Sequence, residues 1–361
     1  MGILDTIITT RHNVNFQEFK PEETLREILS LVEKERDKKI LRHRYGLQDS
    51  EEKTLAAIGE EHNLTRERVR QIEKDIIKHL KKNSGRSDAF LKAKDFLLNI
   101  VAEHGRVIAE ENLLLRLNLQ NSSERNAVIF LLHLIEELDH FIHDNYKKAW
   151  VYVLFNNDLL HKSMEVSKNI LDQKGKPLAS EEFLQHFKET EFYKENQAEL
   201  TDKVILNFLS LAIEIEKNVF EEWGLLNWKE IKPRDVGDKA YLVMKNGKKP
   251  LHYAEITELI NKAGFDNRKA YKETVHNELI KDARFVLVGR GIYALSEWGY
   301  KPGVVADVIK EVLLDFKEPI SREKIIEEVL KRRMVKKNTI LVGLSNRKFF
   351  TKVGKNLYSL A

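Results

Sequence analysis

Three of the chain's six prolines sit in one recurring context, and that recurrence constrains the fold more than any other feature. Lys176-Pro177-Leu178, Lys249-Pro250-Leu251 and Glu318-Pro319-Ile320 each follow a stretch of helical periodicity and precede another. The apolar residues after the prolines are 73 and 69 positions apart, and a further step of 71 back lands on Val107 in Gly105-Arg106-Val107-Ile108. Each unit ends on an aromatic, any residue and an apolar residue: Trp150-Val151-Tyr152, Trp223-Gly224-Leu225, Tyr293-Ala294-Leu295 and Tyr358-Ser359-Leu360. The ending aromatics lie 43, 45, 42 and 38 residues beyond their anchors. A period near 70 is long for a solenoid and indicates repeated small domains.

Every unit reads the same way: a helix, a short extended anchor, two further helices, then a hairpin ending in the aromatic strand. In the third unit Phe285–Val288 and Ile292–Leu295 flank Gly289-Arg290-Gly291, and in the fourth Phe349–Val353 and Leu357–Leu360 flank Gly354-Lys355-Asn356. β-Branched and aromatic runs around a glycine turn are hairpin signals. Three helices with a hairpin make a winged helix-turn-helix. Ser180 and Ser321, ahead of acidic helix starts, have the chemistry of N-caps. Apolar residues at three- and four-residue spacing predict helices over Glu22–Tyr45, Thr54–Glu61, Thr65–Lys82, Ala89–Glu103 and Ala127–Leu138.

Charged residues make up 33% of the chain, which suits several small domains better than one large core. The charge is uneven. Residues 1–90 carry 18 Lys and Arg against 17 Asp and Glu, residues 91–228 carry 15 against 23, and residues 229–361 carry 28 against 17. The basic last third points to a polyanionic partner, and the acidic middle argues against nucleic-acid contact there. The absence of cysteine excludes disulfides, thiolate zinc sites and cysteine nucleophiles. No apolar run is long enough to span a membrane. The opening MGILDTIITTRHNVNF has no basic segment followed by an apolar one, and Gly2 with Thr6 is a weak acylation signal, so a cytoplasmic protein with no membrane partner is expected.

The stretch Leu64–Lys74, LTRERVRQIEK, places Val69, Ile72 and Ile76 on one helical stripe. Arg66 with Arg70 and Glu67 with Gln71 form a ridge on the other side, starting from Thr65 as N-cap. Two readings fit: a solvated face laced with salt bridges, or a helix that reads bases. Base-reading helices present such residues from their N-terminus, Arg to guanine, Gln to adenine and Glu to cytosine. Thr54–Glu61 supplies a bracing helix whose small Ala56 and Ala57 permit close approach. His62-Asn63-Leu64 supplies a tight turn, with Asn63 suited to a left-handed conformation.

The segment Lys38–Lys82 closely resembles region 4 of the sigma-70 family of bacterial sigma factors. Arg44-Tyr45-Gly46-Leu47, Thr54-Leu55 with Ile58-Gly59, and Thr65–Glu73 carry the resemblance. It implies a helix-turn-helix whose second helix enters the major groove of the promoter −35 element. The matching positions are Arg66, Glu67, Arg70 and Gln71, with Thr65 and Lys74 beside them. It also implies docking on the flap of the RNA polymerase β subunit. Only about 35 residues precede the match, so the promoter-melting region of a complete sigma factor is not expected. A second segment, Lys248–Tyr300, is similar to the HARE-HTH module, a winged helix of the RNA polymerase delta subunit and of restriction and chromatin proteins. Pro250-Leu251-His252, Arg284-Phe285 and Gly289–Leu295 with Trp298 carry that likeness.

In the fourth unit Lys331-Arg332-Arg333, Lys336, Lys337, Arg347 and Lys348 crowd the expected third helix and wing, with Lys352 and Lys355 beyond. Phosphate contact is expected of Lys336, Lys337, Arg347 and Lys348. Phe349 and Phe350 are expected in the core. His133, His140 and His143 lie close together but lack ligand spacing, so no metal site is expected. Gly289-Arg290-Gly291 is no phosphate loop. With no catalytic motif, neither an enzyme nor a cofactor is expected.

The expected architecture is mainly α. A lead segment (1–30) precedes the region 4-like helix-turn-helix (31–86). Two divergent winged helices (87–157 and 158–230), a HARE-HTH unit (237–300) and a basic winged helix (301–361) follow. The expected function is a sigma-like transcription regulator that binds promoter-like double-stranded DNA and associates with RNA polymerase. The alternatives are a competitor of sigma for the β flap and a DNA-binding accessory subunit of a restriction or modification system.

Overall fold

Side-chain oxygens that accept a backbone N–H start many of the helices, which is why so polar a chain forms well-bounded ones. Thr54, Thr65, Ser87, Asn121, Thr190, Thr201 and Asp235 all cap in this way. Ser321 caps too, accepting the N–H of Lys324 at 3.2 Å. The structure, a computed structural model, describes residues 19–48, 51–119, 121–300, 305–332, 335 and 337–361. These residues hold 17 α-helices against twelve short strands, so the fold is mainly α. The chain divides into two compact units. One runs to Gly175 and includes Ser180–Glu216; the other comprises Lys176–Ala179 and Lys217–Ala361.

The first unit begins with α1 (Pro21–Ser30), α2 (Glu35–Tyr45), α3 (Leu55–His62) and α4 (Arg66–Asn83). The single helix expected over Glu22–Tyr45 is therefore two helices, parted at residues 31–34. Neither glycine nor proline marks the break. Tertiary contact sets it: His79 of α4 hydrogen-bonds the Leu31 carbonyl at 3.2 Å, and Leu29 and Val32 are buried. A winged helix follows, with α5 (Asp88–Glu103), β1 (Val107–Ala109), α6 (Glu110–Arg116), α7 (Ser122–Leu134), β2 (Leu138–His143) and β3 (Tyr146–Tyr152). The helix expected over Ala127–Leu138 starts earlier, at Ser122. It also stops earlier, because Ile135 is extended and Leu138 already pairs with Tyr152 in the sheet. The sheet order is β1-β3-β2.

One core serves both parts. Ile40, Ile58 and Val69 from the first helices join Phe90, Phe130 and Trp150 from the winged helix. Across the same seam Asn126 donates to the Gly46 carbonyl at 2.9 Å, and the Tyr45 and Phe130 rings meet edge to face. The unit closes with α8 (Asn157–Lys174), α9 (Ser180–Lys188), α10 (Glu191–Asn196), α11 (Asp202–Leu211) and β5 (Ile215–Lys217). The short α10 is one helix more than the repeat plan holds. Buried Asn207 on α11 donates to the carbonyls of His104 and Val107 at 2.8 and 2.7 Å, fixing that helix to the first winged helix.

The second unit carries β4 (Leu178–Ala179) and β6 (Glu222–Leu225), then two winged helices. The first has α12 (Val236–Gly247), β7 (Leu251–His252), α13 (Tyr253–Ala263), α14 (Lys272–Lys281), β8 (Phe285–Gly289) and β9 (Ile292–Leu295). The second has α15 (Val305–Phe316), β10 (Ile320–Ser321), α16 (Arg322–Arg332), α17 (Lys337–Leu344), β11 (Phe350–Lys352) and β12 (Leu357–Leu360). Their sheets run β7-β9-β8 and β10-β12-β11. The anchors meet the ending aromatics directly: Leu178 faces Trp223, Leu251 faces Tyr293 and Ile320 faces Tyr358. In the first winged helix Val107 faces Val151, and Trp150 falls opposite Ile108, one residue over. The repeat read from the sequence is thus a strand pair that closes each wing over its helices.

Candidate nucleic-acid interface

The α3–turn–α4 hairpin is built around Gly59 and Asn63. A Cβ at Gly59 would lie 2.5 Å from the Leu64 carbonyl oxygen, so only glycine lets the turn fold back this tightly. The Leu64 N–H closes the turn on the Gly59 carbonyl at 2.8 Å. Asn63 adopts the left-handed conformation expected of it, with φ 54° and ψ 44°. The close approach comes at Gly59 rather than at Ala56, which is exposed.

Thr65 Oγ1 accepts the Arg68 N–H at 3.2 Å and starts α4. Val69, Ile72, Ile76 and Leu80 bury one stripe of that helix. Thr65, Arg66, Glu67, Arg70, Gln71 and Lys74 are all exposed on it. Arg70 donates twice to Glu67, at 2.8 and 2.7 Å. Gln71 reaches the same carboxylate at 3.3 Å, and Arg68 donates to Gln71 at 3.2 Å. Hydrogen bonds from Arg70 hold the Glu67 carboxyl down to about 2, and the pairing raises Arg70 in turn. Both sequence readings therefore describe one surface: the ridge is salt-bridged to itself and open to solvent at a helix N-terminus. Behind it Tyr45 donates to Glu73 at 2.9 Å, and burial with the Glu73 charge pushes the phenol well above its ordinary range. That contact braces α2 against α4.

Beside the ridge lies a groove of about 340 Å³ with Val32, Ile72 and Ile76 in its lining and Arg36, Asp75 and His79 around them.

In the last winged helix Lys337 opens α17, and Arg347 and Lys348 lie in the loop before β11; all three are exposed. Lys336 lies outside the described residues, as does Arg333. Lys331 and Arg332 are occupied, the first by Glu327 and Glu328 at 2.9 and 2.8 Å, the second by Asp315 at 2.8 Å. Phe350 is buried as expected. Phe349 is not: it is 38% exposed, with the Lys310 ammonium 3.6 Å from its ring centroid. Neighbouring side chains at a strand point to opposite faces, so one of the pair had to face outward.

His133 and His140 serve packing. Both rings contact Trp150, and burial lowers His133 to about 4. A different group converges instead: His43, Glu61 and His62. Sequence reading did not find it, because His43 and the other two sit on separate helices 18 residues apart. A second set it missed lies at the start of α12. There Asp238, 1% exposed, accepts from Arg284 at 2.9 Å, Lys229 at 3.4 Å and the Arg234 N–H at 3.2 Å.

Comparison with known proteins agrees with these local structures. Residues 34–82 match the family model described as sigma-70, region 4, and residues 235–298 match that of HARE-HTH, described as an HTH domain of restriction endonuclease and ASXL type. Similar proteins include the RNA polymerase principal sigma factor HrdD of Streptomyces coelicolor, 56% identical over 43 residues, which are 12% of this chain and 13% of that protein. The RNA polymerase sigma factor SigA of Clostridium acetobutylicum is 47% identical over 62 residues, 17% of this chain and 15% of that protein. The RNA polymerase sigma factor RpoD of Helicobacter pylori is 56% identical over 48 residues, 13% of this chain and 7% of that protein. The chain thus spans only a small part of each of these relatives. Sequence match and fold together describe a sigma-like helix-turn-helix joined to tandem winged helices, one of them of the HARE-HTH type.

Proposed function

We propose that the protein is a cytoplasmic, sigma-like transcription regulator that reads a promoter −35-like element through α4 and acts by recruitment rather than catalysis. One observation carries the reading. Arg66, Glu67, Arg70 and Gln71 stand exposed in a row from the capped N-terminus of the second helix of a helix-turn-helix. Arg70, set by Glu67, offers the planar fork that pairs with guanine in the major groove. Thr65 and Lys74 are placed to meet phosphates. The basic last winged helix would add phosphate contacts through Lys336, Lys337, Arg347 and Lys348. The six segments of the sequence reading, from the lead segment to the basic winged helix, are proposed as the functional divisions of the chain. No helix among the described residues is long and apolar enough to cross a membrane.

The test is binding to a −35-like duplex across a salt series. Arg66→Ala with Arg70→Ala should abolish preference for the site over scrambled duplex. Arg347→Ala with Lys348→Ala should lower affinity for both duplexes alike and flatten the salt dependence. Equal preference in wild type and the first double variant would refute the reading.

The groove beside α4 favours a second role, docking on the flap of the RNA polymerase β subunit. If flap competition is the main activity, reversing charge on the rim with Arg36→Glu and Asp75→Lys should abolish polymerase capture. Arg70→Ala should leave capture intact.

A further inference from the structure

His43 on α2 and Glu61 with His62 at the end of α3 each bring one donor atom to within 4.8 Å of the others. His43 Nδ1 lies 3.0 Å from one Glu61 oxygen. The other Glu61 oxygen accepts from the Lys53 ammonium. Nε2 of His62 is buried and has no hydrogen-bond partner among the described residues. A buried polar nitrogen left unpaired costs stability unless something satisfies it. Two imidazoles and one carboxylate are the donor set of zinc-class ions. His43 and Glu61 are 28% and 41% exposed, which leaves an ion a path from solvent.

We propose that His43, Glu61 and His62 form a binding site for a divalent transition metal of the zinc class, tying α2 to α3 next to the turn into α4. Lys53 is the built-in competitor. Its ammonium holds Glu61 in the structure and must leave that carboxylate for an ion to take it. The site therefore responds to metal concentration, and the metal cross-links the two helices that support α4. This inference uses none of the DNA-reading residues and stands apart from that proposal.

The experiment is Zn²⁺ competition against a chromophoric chelator with the full chain, alongside the visible spectrum on adding Co²⁺. Wild type should take up one equivalent and show Co²⁺ ligand-field bands. His43→Ala and His62→Ala should each weaken Zn²⁺ binding by at least about tenfold, the loss that removing even an outer partner causes. Lys53→Ala should tighten it, and His186→Ala, at a histidine elsewhere, should leave it unchanged. Circular dichroism checks that each variant is folded. If His62→Ala fails to fold, His43→Ala and Lys53→Ala decide the matter. The proposal is overturned if wild type takes up no stoichiometric metal. It is equally overturned if the folded histidine variants bind as wild type does.

Discussion

Gly59→Ala should damage the helix-turn-helix even though alanine is the better helix former. Inside a helix the exchange alone gains about 1 kcal/mol. The new Cβ, however, would stand 2.5 Å from the Leu64 carbonyl oxygen, which is backbone and cannot rotate away. Forcing a methyl into a packed site costs about 1–3 kcal/mol. The upper end applies here, because relief also strains the bond from the Leu64 N–H to the Gly59 carbonyl. The net expectation is a loss of about 2 kcal/mol, from roughly 3 lost and 1 gained. Gly85 is the control, since nothing lies within 4 Å of its Cβ position and its φ is not positive. Hydrogen exchange read by mass spectrometry on peptides from α3 and α4 is the assay. In Gly59→Ala they should exchange about thirtyfold faster, whereas Gly85→Ala should match wild type or be slower. If Gly59→Ala protects α3, the turn is not the tight one described and the placement of α4 fails with it.

Three further outcomes follow from the charges. The Glu67 carboxyl should titrate near 2 by NMR, and Arg70→Ala should return it to the ordinary carboxylate range. Because its folded value is lowered, what the pair contributes is present above that range and lost as pH falls toward 2. His133 works against the fold in acid. Burial lowers it from 6.5 to about 4, so below pH 6.5 the unfolded chain takes up a proton that the folded one refuses. Stability should be full above pH 6.5 and fall by about 3 kcal/mol at most on the way to pH 4, and His133→Phe should flatten that fall in denaturant titrations. Asp238→Ala strips Arg284 and Lys229 of a buried partner. Losing one side of a buried pair costs about 3–5 kcal/mol. Arg284 keeps Asp282 at 2.6 Å, so a loss of about 3 kcal/mol is expected, read as faster exchange confined to residues 235–298.

The sequence displayed the repeat because its ends are chemically marked: a proline fixes each anchor's approach and an aromatic covers the core from the opposite strand. That marking was accurate enough to pair Leu178 with Trp223 and Leu251 with Tyr293. It slipped by one residue in the first winged helix, where no proline precedes Val107. The reading helix was legible because cap, stripe and ridge all lie within one local stretch. What escaped was set by distant partners. The break after Leu31 depends on His79, and the surroundings of Asp238 depend on Arg284. The grouping of His43 with Glu61 and His62 depends on how α2 meets α3. The exposure of Phe349 was within reach of strand alternation, but the expectation treated the two phenylalanines as a single feature.

The account rests most on α4 reading bases. Selecting bound duplexes from a random-sequence DNA pool at near-physiological salt, with wild type beside Arg70→Ala, tests this directly. The account predicts that a defined hexamer emerges with wild type. It also predicts that Arg70→Ala loses that hexamer, with affinity for it falling roughly five- to a hundredfold as one bidentate base contact disappears. Sequence-independent, salt-sensitive binding alone, the same in both proteins, would contradict it.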